Sequence, residues 1–399
     1  MSLVFCHSLG GQPGDVLSEI VREYNKDHSP TVQLEIVAPQ NYAAAAKEAL
    51  KKPQEERPNF ILVPEYMTGA MQQALKEGIV VSVRSLLDQD KLDDIAEIVT
   101  KTFGTDCLPF NPACGVLYIN KSLLEKSGFS SNWKPNTFED LIDACKQIKE
   151  KSGISFGYTC AWPEAYLVEV VLAQKNISLL DGNKNYNFIQ LKDHILNLRQ
   201  LVKEEVFSAP NTGNYDHTRD SFIQGKVAFY IQGSGHSTII EKEAKAAGFE
   251  VGYAPLPTLS KDQESKYAFP LGGAAVWIFN PKNNKEGVRS FINYLASKKI
   301  QAKWHMGTAY VPVSKSLRES LKEFYKDNPL HEAVVLQTIE APLGENSFGI
   351  KKENYHLVRP KLYPLIRELL YLEGSLEEVS KIVEERLRSF EIACNQSSV

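Results

Sequence analysis

Apolar residues along the first third of the chain form short blocks that alternate with helical stripes. Strands are predicted at 3–7 and 32–37, and the continuous apolar run at 60–63 predicts a buried strand. Helices are predicted where apolar residues recur every three or four positions, as at Val16, Leu17, Ile20, Val21 and Tyr24, and again over 42–51 and 68–76. This alternation is typical of a doubly wound α/β sheet with parallel strands.

The rest of the chain predicts more helix than strand. Helices dominate from 137 to 248, with short strands near Gly157 and Val227, and a strand at 274–279 follows. The last helix is predicted to bury one face, which carries Val379, Ile382, Val383 and Leu387. A length of 399 residues suits two domains, and no low-complexity linker separates them. We therefore expect two lobes joined by several chain crossings.

Composition narrows the class of protein. The 43% hydrophobic and 24% charged residues are those of a soluble globular protein, and the net charge of −4 gives no reason to expect a nucleic-acid partner. Residues 1–5 resemble a first strand and lack the basic leader of a signal peptide. We expect either a cytosolic protein or an exported one whose leader is missing from this sequence.

Cysteine spacing argues against a metal site. The six cysteines are widely spaced, without Cys-x-x-Cys or His-x-x-x-His, so neither zinc nor another cofactor is predicted. Their apolar surroundings favour small core residues. A disulfide between Cys107 and Cys114 remains open as an alternative.

The segment from 109 to 141 has the most informative order of motifs. Pro109-Phe110-Asn111 precedes a buried strand at 116–119, and Asn120-Lys121 ends that strand. Thr137 and Asp140 then predict a capping box at the start of a helix. This order resembles the crossover region of bacterial solute-binding proteins that feed ABC importers.

Four later segments are similar to the same family: 222–235, 251–257 with 270–277, 307–315, and 349–359. Within it, the chain resembles the glycerol-3-phosphate-binding subunits over nearly its whole length. The resemblance implies an α/β, two-lobed, maltose-binding-protein-like fold with a hinge and a central ligand cleft. It implies an N-lobe of 1–110 plus 265–315 and a C-lobe of 111–264 plus 316–399. It also implies a monomer, periplasmic or extracytoplasmic, that presents a polyol phosphate or sugar to ABC permease transmembrane subunits.

The resemblance also carries over a set of ligand-binding residues: Tyr42, Glu65, Trp162, Ser234, Gly273, Tyr310 and Arg359. Since a carboxylate repels phosphate, Glu65 is expected to hold ligand hydroxyls. Arg359, with Tyr310 and Ser234, is expected to hold the phosphate through charge-assisted hydrogen bonds.

Each of these positions also permits a purely structural role. Ser234 could cap a helix, Trp162 could belong to the core, and Glu65 could be a first-turn acid. Tyr42 and Arg359 could lie on the surface. At 112–114 the chain has Pro-Ala-Cys where the subfamily has hydroxyl residues, which leaves a glycerophosphodiester or a sugar open as the ligand.

An enzyme is the alternative of a different class. Gly153-Ile154-Ser155-Phe156-Gly157 fits the nucleophile-elbow pattern of serine hydrolases. An elbow needs a strand before Ser155 and a helix after it, and the predicted order here is the reverse. The glycine-rich stretch at 9–14 lacks the Lys-Ser or Lys-Thr of a nucleotide loop. We therefore expect a binding protein without catalytic activity.

Overall fold

The computed structural model describes residues 2–37, 41–210, 216–259, 267–279, 284–350 and 352–396. The strands are β1 (Leu3–His7), β2 (Val32–Ile36), β3 (Phe60–Pro64), β4 (Val80–Val81), β5 (Leu108–Ala113), β6 (Gly115–Asn120), β7 (Tyr158–Cys160), β8 (Phe207–Ser208), β9 (Phe229–Gly233), β10 (Val251–Ala254) and β11 (Gly272–Phe279).

The first half of the chain contains the helices α1 (Gly11–Asp27), α2 (Tyr42–Lys51), α3 (Thr68–Lys76), α4 (Gln89–Asp93), α5 (Glu97–Phe103), α6 (Lys121–Lys126), α7 (Phe138–Ser152), α8 (Val170–Gln174) and α9 (Lys192–Lys203). The second half contains α10 (Asp216–Ile223), α11 (Ser237–Ala246), α12 (Lys285–Leu295), α13 (Lys298–Thr308), α14 (Leu317–Ser320), α15 (Lys322–Asp327), α16 (Pro329–Thr338), α17 (Tyr355–Leu370) and α18 (Leu376–Gln396).

The chain forms two compact units, each built from two stretches of sequence. Unit 1 contains Met1–Cys114 and Leu271–Ile339, and unit 2 contains Gly115–Pro270 and Glu340–Val399. The chain therefore passes from one unit to the other at 114/115, 270/271 and 339/340. The lobe boundaries implied by the resemblance stay a prediction.

Unit 1 is built on a mixed sheet with the strand order β2-β1-β3-β11-β4, and β5 pairs with β11. The strands β1, β2 and β3 run parallel, which confirms the doubly wound pattern predicted for this part of the chain. β11 enters antiparallel between β3 and β4. The sheet and the helices α1, α12 and α13 enclose a core that includes Phe5, Phe60, Phe291 and Trp304.

Unit 2 is built on a sheet with the strand order β10-β6-β9-β7-β8. β6 is buried along its whole length, as its continuous apolar run predicts. The predicted capping box is confirmed at the start of α7, where the Thr137 side chain accepts from the Asp140 amide and the Asp140 carboxylate accepts from the Thr137 amide.

Two predictions about side chains turn out differently. Ile382 on α18 is exposed, because the buried stripe of this helix is narrower than predicted and runs through Val379, Val383 and Leu387. All six cysteines lie among the described residues and are buried thiols, so the alternative of a disulfide between Cys107 and Cys114 is wrong. Among the described residues, no helix has the length and apolar composition that a membrane span requires.

Candidate ligand-binding site

Strand direction brings one set of predicted site residues to a single edge of the unit 1 sheet. β3 ends at Pro64 and β5 ends at Ala113, while the antiparallel β11 begins beside both. In register, Ala274 lies between Pro64 and Asn111. We call these strand ends the unit 1 edge. Strand ends of this kind are where ligands bind in α/β proteins.

Asn111 is the centre of the unit 1 edge. Its side chain hydrogen-bonds to the phenols of both Tyr42 and Tyr310, which are far apart in sequence. Burial raises the pKa of both tyrosines, while the hydrogen bond with Asn111 lowers each, and the two phenols are close enough to interact electrostatically. Two predicted ligand residues therefore meet on a third residue that was not predicted.

A bulge in β5 gives Asn111 its position. The register of β5 against β11 shifts between Ala274 and Ala275, so that Phe110 is an extra residue in β5. Phe110 is buried in the unit 1 core, whereas Asn111 faces the two phenols. A bulge that re-aims one side chain at a strand end is a recurrent feature of functional sites.

Glycine is required at position 273, where β11 pairs with β5. Its φ is +96°, and a Cβ atom there would lie 2.0 Å from the carbonyl oxygen of Asn111. Only glycine combines this backbone conformation with such a close approach. The role of Gly273 as a ligand contact stays a prediction.

Glu65 follows β3 directly and begins a single turn of 3₁₀ helix, Glu65–Met67. Its carbonyl oxygen accepts a hydrogen bond of 2.6 Å from the Thr68 hydroxyl, and its side chain is half-buried. Since Pro64 lies opposite Ala274 in the sheet, Glu65 belongs to the same edge as Gly273. An anionic oxygen pair in this position can accept hydrogen bonds from hydroxyl groups.

Tyr310 is held by the segment that follows α13. Ala309 adopts a left-handed conformation and redirects the chain, and the Val311 amide then donates to the Pro112 carbonyl at 2.8 Å. The Trp304 ring stacks between Phe110 and Tyr310, with centroid distances of 4.6 and 5.6 Å. The position of Tyr310 is therefore fixed by packing and by a backbone bond.

The unit 2 sheet has an equivalent edge. β7 and β9 are parallel and both end there, and the antiparallel β6 begins there, with Gly115 opposite Gly233. Ser234 follows β9 and Trp162 follows β7. We call this set of strand ends the unit 2 edge.

Ser234 at the unit 2 edge is fully buried, with 0% of its surface exposed. Within the described part of the chain, its hydroxyl has no hydrogen-bond partner. The cap residue of the 3₁₀ turn is Gly233, and α11 begins only at Ser237 without a side-chain cap, so the alternative of Ser234 as a helix cap is wrong. A buried hydroxyl without a partner is costly, and it can be satisfied by a ligand or by water.

Trp162 is 37% exposed, so the alternative of an ordinary core residue is wrong. The Tyr166 amide donates to its carbonyl at 2.8 Å, at the start of a π-helical turn, Glu164–Glu169. The Tyr166 ring lies over the glycine pair of the edge: a Cβ on Gly115 would be 2.7 Å from the ring, and one on Gly233 would be 3.0 Å from the Tyr166 hydroxyl. Two aromatic side chains therefore follow β7 at this edge.

Arg359 lies in α17, half-buried, with its guanidinium 4.8 Å from the centre of the Tyr363 ring. Its charge also acts on Glu164, which forms an ion pair with Arg367. Burial raises the pKa of the Glu164 carboxyl, although Arg367 and Arg359 both favour its charged form. The contacts of Arg359 thus associate it with the turn that follows Trp162, and its predicted pairing with Ser234 stays a prediction.

The unit 1 edge offers hydrogen-bonding groups and two phenol rings, and the unit 2 edge offers a buried hydroxyl and two aromatic side chains. Across the described ranges, no group of three or more His, Cys, Asp or Glu side chains could hold a metal ion. Ser155 lies between α7 and β7, with the helix first and the strand second, which is the reverse of a nucleophile elbow. These features fit ligand recognition.

Asn111 and Tyr166 are the residues that sequence reasoning missed. Asn111 ends the Pro109-Phe110-Asn111 motif, but the bulge that directs its side chain depends on pairing with β11, which the sequence does not reveal. Gly115 and Gly233 together make room for the Tyr166 ring, and they are the only sequence feature that could indicate its position. Nothing in the sequence shows that these two glycines lie opposite each other.

Comparison with known proteins places the chain among binding proteins. Residues 19–333 match the model of the family described as bacterial extracellular solute-binding protein. The sn-glycerol-3-phosphate-binding periplasmic protein UgpB of Rhizobium meliloti is 27% identical over 380 residues, which cover 90% of this chain and 86% of that protein.

Solved structures agree on the fold. Maltose-bound MalE3 of T. maritima superposes with a TM-score of 0.75 at 18% identity, covering 97% of this chain and 99% of that one. UgpB from Mycobacterium tuberculosis in complex with glycerophosphocholine gives a TM-score of 0.73 at 16% identity, covering 98% and 99%. The predicted fold class, that of maltose-binding-protein-like periplasmic binding proteins, is confirmed.

Proposed function

The chain belongs to the bacterial extracellular solute-binding protein family, and from this premise we propose that it is the substrate-binding subunit of an ABC importer for a small polyol phosphate. The ligand class is glycerol-3-phosphate or a glycerophosphodiester. The proposal includes a location outside the cytoplasm, delivery of the ligand to permease transmembrane subunits, and action as a monomer. It also retains the prediction that two lobes close around the ligand.

One observation carries this proposal. Tyr42 and Tyr310, predicted separately as ligand contacts, meet on Asn111 at the unit 1 edge, beside Gly273. Four of the seven proposed ligand residues therefore belong to the unit 1 edge: Tyr42, Glu65, Gly273 and Tyr310. The names of the relatives supply the ligand class, because UgpB of Rhizobium meliloti is named for sn-glycerol-3-phosphate.

The chemistry assigns a part of the ligand to each charged group. Glu65 accepts hydrogen bonds from ligand hydroxyls, since a carboxylate would repel a phosphate. Arg359 supplies the positive charge for the phosphate, and the buried Ser234 hydroxyl supplies a donor. Trp162 offers an exposed aromatic face to the carbon skeleton.

Calorimetry against sn-glycerol-3-phosphate, glycerophosphocholine and maltose tests this assignment. We expect binding of a phosphate ester, and we expect Arg359→Gln to weaken it by about 100-fold, the loss typical of a charge-assisted contact. Arg388→Gln is the matched control, because Arg388 is exposed on α18 of the same unit and pairs with Glu384. Unchanged affinity in Arg359→Gln would remove Arg359 from the site.

A sugar is the second candidate. The residues Pro112, Ala113 and Cys114 lack hydroxyls where the subfamily has them, and an exposed Trp162 suits the apolar face of a sugar ring. Tight binding of maltose without binding of either phosphate ester would replace the phosphate proposal with this one.

A further inference from the structure

Asn111 has a buried polar atom that its surroundings leave unused. The side chain is 2% exposed, and among the described residues its Oδ1 has no hydrogen-bond partner. Most buried polar atoms in proteins are bonded, so each exception requires an explanation. Asn111 lies at the unit 1 edge, where Gly273 presses against its carbonyl.

The amide nitrogen of Asn111, in contrast, has hydrogen-bond partners. Asn111 hydrogen-bonds to both Tyr42 and Tyr310, and in each case the bond lowers the phenol pKa. Since Oδ1 has no partner among the described residues, the amide nitrogen makes these bonds, and an amide N–H donates. An amide has two N–H groups, so one goes to each phenol.

This assignment fixes what the phenols can do. Burial keeps the pKa of Tyr42 and of Tyr310 above the ordinary value, so both are protonated at neutral pH. A phenol that accepts from Asn111 still has its own O–H to donate. Both side chains are only half-buried and can reach a ligand.

We propose that Asn111 is a positioning and specificity-determining residue, which orients the Tyr42 and Tyr310 hydroxyls as a pair of donors to ligand oxygens and offers its own Oδ1 to a ligand hydroxyl. This inference rests on the proposed function and adds the residue that sets hydrogen-bond direction at the unit 1 edge. A ligand that carries acceptor oxygens next to a hydroxyl, such as the polyol part of a glycerol phosphate, matches these three side chains. Glu65, an acceptor only, complements it by binding ligand donors.

The surroundings hold the three side chains in place. Trp304 stacks on Tyr310 with ring planes 2° apart, and the Val311 amide donates to Pro112, the residue after Asn111. Tyr42 begins α2, whose first turn is capped by the Asn41 side chain accepting from the Ala44 amide at 3.0 Å. Preorganisation of this kind lets donors act without a cost of reorientation on binding.

Asn111→Asp tests the direction of the bonds. The variant has the same shape, but its carboxylate accepts from both phenols and draws their hydrogens away from the ligand. We expect sn-glycerol-3-phosphate to bind at least about 100-fold more weakly by calorimetry. Asn41→Asp is the matched control, because it adds the same charge next to Tyr42 and keeps an acceptor for the helix cap. A loss in Asn111→Asp no larger than in Asn41→Asp would overturn the proposal.

Tyrosine variants separate positioning from folding. Tyr42→Phe and Tyr310→Phe remove one donor each and should each weaken binding about 10-fold. Adding either change to Asn111→Asp should cost no further affinity, because the phenols no longer face the ligand. If Asn111→Asp does not fold, as judged by circular dichroism, Asn111→Leu takes its place and should also weaken binding. Wild-type affinity in Asn111→Leu and in both phenylalanine variants would contradict the proposal.

The same series remains decisive if the ligand class is wrong. Should the wild type bind maltose and no phosphate ester, the proposed function fails, and the variants are then measured with maltose. Asn111→Asp should then lose maltose binding, and adding Tyr42→Phe to it should cause no further loss. That result would support Asn111 as the residue that directs the phenols. Full additivity would overturn it.

Discussion

The α-carbon of Gly273 approaches the carbonyl of Asn111 so closely that a Cβ atom on Gly273 would lie 2.0 Å from that oxygen. The backbones of β11 and β5 are therefore unusually close at Asn111, the residue that hydrogen-bonds to the phenols of Tyr42 and Tyr310. The close approach and the positive φ of Gly273 occur next to the bulge at Phe110, where the register between β11 and β5 shifts.

Gly273→Ala should therefore destabilise the protein. Strain at φ +96° alone costs about 1–3 kcal/mol, and the clash with Asn111 adds to it. Gly272→Ala is the matched control, because its nearest neighbour to an added Cβ is 3.9 Å away. Urea unfolding should show a lower midpoint for Gly273→Ala and a near-normal one for Gly272→Ala. Equal midpoints would mean that the two strands are farther apart than the structure shows.

Ser234→Ala should separate stability from binding. Among the described residues its buried hydroxyl has no partner, so its removal should leave the free energy of unfolding unchanged or slightly higher. If the hydroxyl donates to the ligand, affinity should fall about 10-fold. The two effects have opposite signs, and thermal unfolding with calorimetry measures both.

Thr159→Val is a control for Ser234→Ala. The Thr159 hydroxyl is also buried, but it donates to the Ser208 carbonyl at 2.7 Å. Its loss should lower stability by about 0.5–1.5 kcal/mol and leave affinity unchanged. A loss of stability in Ser234→Ala comparable to that in Thr159→Val would indicate that Ser234 is bonded within the protein.

The local elements could be predicted from sequence because local chemistry determines them. The helix at 42–51 and the capping box of Thr137 and Asp140 depend on residues within one or two turns. The strands β1 and β3 follow from continuous apolar runs. Ile382 shows the limit of such reasoning, because an apolar residue at the border of a stripe need not be buried.

The site could be predicted only in part, because its geometry depends on strand pairing. Tyr42 and Tyr310 were recognised by resemblance, but their meeting on Asn111 requires β11 to enter antiparallel beside β3 and β5. The same holds for Tyr166, whose place depends on Gly115 lying opposite Gly233. Neither register is encoded by nearby residues, so no periodicity in the sequence reveals it.

Trp162 should report ligand binding by fluorescence. It is 37% exposed, whereas Trp277 and Trp304 are each 1% exposed. Contact with a ligand should shift or quench the emission of an exposed indole most strongly. We expect the ligand-induced change to disappear in Trp162→Phe and to persist in Trp133→Phe, the half-buried control in the same unit. A change that survives in Trp162→Phe would place the ligand away from Trp162.

Acid should destabilise unit 1 through two neighbouring histidines. The pKa of His305 is lowered to about 3 and that of His331 to about 4, mainly because both rings are buried. Neutral His305 fits its contacts, with Nδ1 donating to the Tyr310 carbonyl and Nε2 accepting from the Tyr325 hydroxyl at 3.2 Å. His331 bonds to the His305 carbonyl at 3.1 Å, so protonation of either ring would act on the segment that holds Tyr310.

The sign of this effect follows from linkage. The unfolded chain binds protons below about pH 6.5, while the folded chain leaves both histidines neutral until the pH is near 4 or below. The free energy of unfolding should therefore fall as the pH drops from 6.5 to 4.5, by about 2–3 kcal/mol for the fully buried His305. Urea unfolding across this range should show a smaller fall for His305→Gln and His331→Gln than for the wild type. Because His217 is exposed, His217→Gln should follow the wild type, and parallel curves for all four proteins would mean that the two buried histidines carry protons in the folded state.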